Sequence, residues 1–251
     1  METIGDLTRS LRELNRPRPI AAWSQGAHAG WSRSWGRRRA SPTPDELRAQ
    51  ALQALANRIT SLYWFNLSLR SLVAFPDLVE PITRTGREAR LVDRFLVEGD
   101  AYEYRRVSRD GRPDWDLNSV AAPDAVVVFV NDLAYRPDTS VGEFVFGTPR
   151  EAEWELRLPP WLTSPEEVFR IDADGTADVA HGISGRALRL SDRAAVGAIY
   201  VAARAPGTRA ALEARRRALV AHEEATGFDP GRRAADLATL RGLLGGGDGS
   251  P

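Results

Sequence analysis

Apolar positions recur every three to four residues in the first part of the chain, a spacing that predicts amphipathic helices. Residues 4–14 have this spacing, and the prolines that follow end the helix because proline cannot continue it. The clearest predicted helix covers 44–57, since Thr43 is a favourable N-cap and Pro44 suits the first helical position. A further helix is predicted at about 76–96.

Two short apolar segments separate these helices. The segment "IAAW" at 20–23 predicts a short strand. The segment "TSLYWFNL" at 60–67 is apolar at both alternating positions, as in the fully buried strands of parallel sheets. The order helix, strand, helix, strand, helix predicts right-handed βαβ units of a parallel sheet or barrel.

From about residue 99 the pattern changes to that of short strands separated by Pro, Gly and Asp. The segments at 101–107 and 115–117 flank Asp110 and Gly111, a pair that favours a tight hairpin turn. Short strands at this spacing are typical of an antiparallel sandwich. Further strands are predicted at 125–131, 143–147, 152–158, 167–171, 186–190 and 196–203.

These patterns divide the chain into three parts, and the predicted fold class is α/β plus all-β. Residues 1–98 are predicted to form a partial (β/α) barrel segment, and residues 99–204 an antiparallel β-sandwich. Residues 205–251 are predicted to contain two C-terminal helices, the second at about 231–244, and a flexible glycine-rich tail.

The amino-acid composition argues against several classes of partner and of site chemistry. The 34 basic and 34 acidic residues cancel, so no overall field attracts nucleic acid or an anionic membrane. The chain has no cysteine, which removes disulfides and thiolate chemistry. No histidine pair at metal-binding spacing and no glycine-rich phosphate loop is present, so neither a metal nor a cofactor is expected. No signal peptide or membrane span is predicted, so a cytoplasmic location is expected, or secretion if the true start lies upstream.

The first hundred residues resemble a known enzyme class. The phrase "RPIAAWSQG", a loop rich in glycine and tryptophan, the phrase "PTPDELRAQALQALANRITSLYWFNL" and the sandwich that follows resemble the end of a (β/α)8-barrel glycoside hydrolase. The resemblance covers about 1–100 as the last quarter of the barrel and 100–203 as its accessory sandwich. It implies that the two apolar segments are the seventh and eighth barrel strands, with site residues at their C-terminal ends.

The resemblance further implies that these strand ends bind an oligosaccharide or polysaccharide. Tryptophan rings stack on the C–H faces of sugars, and amide side chains both donate hydrogen bonds to hydroxyl groups and accept them. The substrate-binding residues expected on this basis are Trp23, Gln25, His28, Trp31, Trp64 and Asn66.

The sequence departs from the resemblance where catalysis is concerned. Gln25 lies where many retaining barrel glycosidases carry a nucleophilic glutamate, and an amide cannot serve as that carboxylate. Hydrolysis normally needs two carboxyl groups about 5 Å apart for retention or up to about 9 Å for inversion. No convincing pair is present in 1–98, so the catalytic residues are unknown. The six preceding strands are also missing, so either the reading frame is truncated or a partner chain supplies these strands. The isolated chain is not expected to hydrolyse sugars.

Two alternatives stay open. A non-catalytic sugar-binding or interaction module can be built on the sandwich, using Trp115, Trp154 and Trp161, although the alternation around Trp154 favours a core position. The chain can also be an inactive truncated remnant, because two parallel strands without neighbours leave edge hydrogen bonds uncovered. Aromatic residues beside buried strands, including Trp23 and Trp64, are ordinarily core residues.

Overall fold

The computed structural model describes residues 2–16, 18–26, 41–65, 67–226 and 230–243. The helices of these ranges are α1 (Glu2–Asn15), α2 (Pro44–Ala56), α3 (Leu69–Ala74), α4 (Val79–Glu98), α5 (Thr208–Ala225) and α6 (Pro230–Leu243), with a 3₁₀ turn at Pro76–Leu78 before α4. The strands are β1 (Ala21–Gln25), β2 (Ser61–Phe65), β3 (Asp100–Arg109), β4 (Arg112–Ala121), β5 (Ala125–Asp132), β6 (Arg136–Asp138), β7 (Glu143–Val145), β8 (Arg150–Arg157), β9 (Glu167–Asp172), β10 (Gly175–Asp178), β11 (Ala180–Ser184), β12 (Ala187–Ala194) and β13 (Gly197–Ala203).

The strands form one large sheet and three small ones. The large sheet has six antiparallel strands in the order β10-β9-β13-β5-β4-β3. A three-stranded antiparallel sheet has the order β11-β12-β8, β6 pairs with β7, and β1 pairs with β2. The fold is therefore mixed helix and sheet with C-terminal helices, and the described strands do not close into a barrel.

The central strand β5 shows how the layers are arranged. Val128 and Val130 belong to the hydrophobic cluster that includes Trp154 of β8, so they face the three-stranded sheet. Phe129, which points the opposite way, belongs to the cluster that includes Leu52 of α2 and residues of α4 and α5. The six-stranded sheet is thus covered by the smaller sheet on one face and by helices on the other. This core crosses the predicted division at residue 98.

Local sequence rules account for the start of α2 and for the first hairpin. Thr43 caps α2 and forms a capping box with Glu46, and Pro44 occupies the first turn, as predicted. Asp110 and Gly111 have φ values of 52° and 76°, which place the turn between β3 and β4 in the left-handed region that the pair favours.

One helix of the C-terminal part packs against both helical and sheet residues. Leu212 of α5 is buried in the core shared with α4 and β9. Arg215 of α5 donates to both carboxylate oxygens of Asp93 at 2.8 Å, and Arg87 of α4 pairs with Glu223. No helix of the described ranges is long and apolar enough to cross a membrane.

Candidate functional site

The strands β1 and β2 lie side by side and run in the same direction, joined by α2, as the sequence predicts. In the register of this pair Trp23 lies opposite Tyr63, and Gln25 lies opposite Phe65. The pairing extends beyond the strand end, where the Gly26 N–H donates to the Phe65 carbonyl at 3.0 Å. The C-terminal ends of the two strands therefore meet at one edge of the unit.

One face of this two-stranded sheet packs on helices. Ala22 and Ser24 are buried, and Leu62 packs with Ala22 against the C-terminal half of α2. Trp64 is half-buried in a cluster with Leu47 of α2 and with residues around the start of α4. Trp64 therefore lies on the helix-covered face, opposite the face that carries Trp23, and its role in sugar binding stays a prediction.

The opposite face exposes three aromatic rings. The exposed fraction is 68% for Trp23, 49% for Tyr63 and 45% for Phe65. The ring centroids of Trp23 and Tyr63 are 5.1 Å apart with planes at 26°, and Phe65 meets Trp23 edge-on at 6.3 Å. We call these three residues the aromatic face. Because parallel sheets are normally covered on both faces, such a surface is a candidate binding site.

The prediction that residues 60–67 form a fully buried strand is wrong: Tyr63, Phe65 and Leu67 are exposed, and the other residues of β2 are half-buried. The segment is apolar at both parities, so its pattern does not distinguish a strand covered on two faces from one covered on a single face. The helices cover one face only, and the other remains in contact with solvent.

Gln25 lies at the same end as Phe65, half-buried, and its backbone is held by α2. The Gln25 N–H donates to Oε1 of Gln50 at 3.1 Å, so a buried side chain of α2 satisfies a backbone donor on the outer edge of β1. Gln25 is thereby positioned where β1 ends. The predicted site residues His28, Trp31 and Asn66 lie outside the described residues.

A second group of aromatic residues lies near the start of α2. It is connected to α2 through Glu46, to which the sequence analysis assigned no such role. Glu46 is 2% exposed, and its Oε2 accepts the Thr43 N–H while its Oε1 accepts the Phe144 N–H, both at 2.8 Å. The ring of Tyr135 contacts the rings of Phe144 and Phe146 at 5.3 Å each. The alternation "FVF" at 144–146, which places Phe144 and Phe146 on the same side of the chain, is the sequence signal that could have indicated this aromatic pair.

The tryptophans of the sandwich are mostly core residues. Trp115 and Trp154 are each 2% exposed and meet edge to face at 5.1 Å, which confirms the core position predicted for Trp154. Trp161 is partly exposed. Of these three tryptophans only Trp161 is accessible to a ligand without rearrangement.

The chemistry available on the aromatic face is ring stacking. The strands β1 (AAWSQ) and β2 (SLYWF) carry no carboxylate. Within the described part of the chain, no group of three or more His, Cys, Asp or Glu side chains is arranged to hold a metal ion.

Comparison of the chain with protein-family models and with curated proteins gives no match.

Proposed function

We propose that this chain is a carbohydrate-binding protein, similar to the C-terminal portion of a barrel-type glycoside hydrolase, and that sugar binds to the aromatic face. One observation carries the proposal: Trp23, Tyr63 and Phe65 are exposed together where two neighbouring parallel strands end. The apolar C–H faces of sugar rings stack on such aromatic surfaces.

The size of the aromatic face favours a short oligosaccharide over a protein. The exposed parts of the three rings amount to roughly 250–400 Å², taking about 150–250 Å² for each whole side chain. A stable protein interface needs about 800 Å² from each partner. Two or three sugar rings need less surface, and the flat stack of Trp23 on Tyr63 suits their shape.

We also propose that strands from a partner chain complete this two-stranded sheet. The free edge of β2 supports this second part of the proposal. The Ser61 N–H donates to the Ile20 carbonyl at 3.3 Å, so by the alternation of a parallel ladder the backbone groups of Leu62 and Trp64 are directed to the opposite edge. A groove of about 710 Å³ runs between that edge and α4. Added strands here would pair with β2 and form a wall beside the aromatic face.

The proposed activity of the isolated chain is binding without hydrolysis, because β1 and β2 contain no carboxylate pair. Catalytic carboxylates would come from the strands that complete the sheet. The sandwich alternative rests on Trp161 alone, since Trp115 and Trp154 are buried.

The test is a calorimetric titration of the full chain with cellohexaose, xylohexaose and mannohexaose. We expect Trp23→Ala to weaken binding of the recognised sugar by about tenfold, as an aromatic contact contributes roughly 0.5–1.5 kcal/mol beyond its buried area. The matched control is Trp161→Ala, which removes an exposed indole from the sandwich and should leave affinity unchanged. Equal affinity of Trp23→Ala and the unmodified chain overturns the proposal, and loss of binding in Trp161→Ala alone favours the sandwich module.

A further inference from the structure

A cleft of about 820 Å³ lies at one end of the sandwich, and no residue of the aromatic face lines it. Its walls come from the β3–β4 turn, from the segment between β5 and β6, and from the start of β8. Its volume falls within the range of about 300–1,000 Å³ that is usual for small-molecule sites. We call it the arginine cleft, after the lining residues Arg109, Arg112, Arg136 and Arg150.

The floor of the arginine cleft is built from ion pairs that compensate each other. Arg150 lies 2.8 Å from Asp114 and 3.0 Å from Asp132, and its guanidinium group lies 4.0 Å from the centre of the Trp115 ring. Arg109 pairs with Asp114 at 3.2 Å. Both carboxylates are buried, so the positive charges of Arg109 and Arg150 are needed to neutralise them.

The two remaining arginines of the cleft, Arg112 and Arg136, do not neutralise a buried carboxylate. Arg112 begins β4 and Arg136 begins β6, and both are exposed. Within the described ranges neither has a carboxylate oxygen within 4.0 Å. Asp138, the acidic residue near Arg136, accepts hydrogen bonds from the backbone and hydroxyl of Ser140, and these lower its pKa with a smaller contribution from Arg136.

Charge balance indicates what this cleft accepts. Four guanidinium groups and two carboxylates, those of Asp110 and Asp114, line the cleft. Two further carboxylates lie beside it: Asp132 pairs with Arg150, and Asp138, near Arg136, accepts hydrogen bonds from Ser140. The lining itself is therefore positive, in a concave site where the field is focused. An oxyanion is attracted to such a lining, and the planar fork of arginine matches its geometry.

We propose that the arginine cleft binds an organic ligand carrying one carboxylate or sulfate ester group, which Arg112 and Arg136 hold from different walls. Tyr135 also lines the cleft and is supported by Phe144 and Phe146, so the uncharged part of the ligand has an aromatic wall to contact. This site shares no residue with the aromatic face, and either can fail without the other.

The experiment titrates the full chain with glucuronate, glucose 6-sulfate and glucose by calorimetry at low and at physiological ionic strength. The test variant is the double substitution Arg112→Gln and Arg136→Gln. The control is the double substitution Arg18→Gln and Arg204→Gln, which removes two exposed guanidinium groups from other parts of the surface. Because all four positions are exposed, both variants are expected to fold, and thermal unfolding verifies it.

We expect at least one of the two acidic sugars to bind, with affinity reduced tenfold or more in the test variant, retained in the control and weakened by salt. Binding of glucuronate alone identifies a carboxylate as the recognised group, and binding of glucose 6-sulfate alone identifies a sulfate ester. If glucose binds to the unmodified chain and to both variants with the same affinity, that binding is assigned to the aromatic face. The proposal is overturned if neither acidic sugar binds, if the test variant keeps full affinity, or if the control loses as much.

Discussion

The indole of Trp23 stacks on the phenol ring of Tyr63, the residue directly opposite it on the neighbouring parallel strand, with the ring planes 26° apart. One face of each ring is thus covered by the other, and the outer face of Trp23 remains in solvent. The pair is held by the strand register itself and not by a flexible loop, so the proposed sugar ligand would meet a surface whose shape is already set.

The first prediction concerns this stack. In Tyr63→Ala we expect the Trp23 ring to lose its support, with a cost of about 0.5–1.5 kcal/mol in the free energy of unfolding and weaker binding of the sugar that the unmodified chain recognises. In Tyr63→Phe, which keeps the ring, both quantities should stay close to those of the unmodified chain. Denaturant unfolding and calorimetry provide the two measurements. Equal sugar affinity in Tyr63→Ala and Tyr63→Phe would show that the stack has no role in binding.

A second prediction concerns the contact between α2 and the edge of β1. In Gln50→Ala the Gln25 N–H loses its acceptor, which should cost about 1–3 kcal/mol if water cannot replace it. Amide hydrogen exchange at Gln25 should accelerate. The control is Gln53→Ala on the same helix, because Oε1 of Gln53 accepts the Gly5 N–H instead. That variant should accelerate exchange at Gly5 and leave Gln25 protected, and the opposite result would refute the assignment.

A third prediction separates the two roles of Glu46. Thr43→Ala removes the hydroxyl cap of α2 and should cost about 1 kcal/mol of stability. Glu46→Ala removes both the capping box and the acceptor of the Phe144 N–H, so its cost should be larger, about 1–3 kcal/mol. Only Glu46→Ala should speed amide exchange at Phe144. Unchanged exchange there would mean that β7 does not depend on this anchor.

The fourth prediction is a pH effect at the turn between β9 and β10. Hydrogen bonds from Arg84 lower the pKa of Asp174 below its ordinary value of 3.8. A group whose folded pKa is lowered stabilises the fold above its unfolded pKa, and this contribution is lost as the pH falls through the folded pKa. The fall in Tm between about pH 7 and about pH 3 should therefore be smaller in Asp174→Asn than in the unmodified chain.

The same fourth prediction has an internal control. Arg84→Gln removes the main partner of Asp174 and should also reduce the acid sensitivity, although Arg87 and Arg216 still lower the pKa of Asp174. In the double variant the two reductions should be less than additive, because the Arg84–Asp174 pair contributes to both. Additive effects of the two substitutions would contradict the assignment.

The sequence was sufficient for elements whose cause is local. The capping residues Thr43 and Pro44 locate the start of α2, and the Asp110-Gly111 turn locates the first hairpin. The apolar run at 125–131 predicts β5, because a strand buried on both faces is apolar at every position. The structure shows β5 buried throughout. In each case a few neighbouring residues decide the conformation.

Features set by distant packing were not predictable in the same way. The strands β6, β10 and β11 are short and contain few large apolar side chains, so no apolar run marks them. Within "SLYWF" the pattern could not assign Tyr63 to the solvent and Trp64 to the helices, because that depends on where α2 and α4 pack. The arginine cleft likewise joins residues from 109 to 150 that only strand pairing brings together.

One hydrophobic core joins Leu52 of α2 and Phe95 of α4 to Phe129 of β5. The helical part and the sandwich therefore cannot be separated without exposing this core. A fragment starting at residue 99 would leave one side of its largest sheet bare of helices, and it should aggregate when expressed. The helical half and the sandwich should instead melt cooperatively, in one transition. Since neither half can shift without breaking that core, the orientation of the Trp23 ring relative to the sandwich is part of the folded state itself.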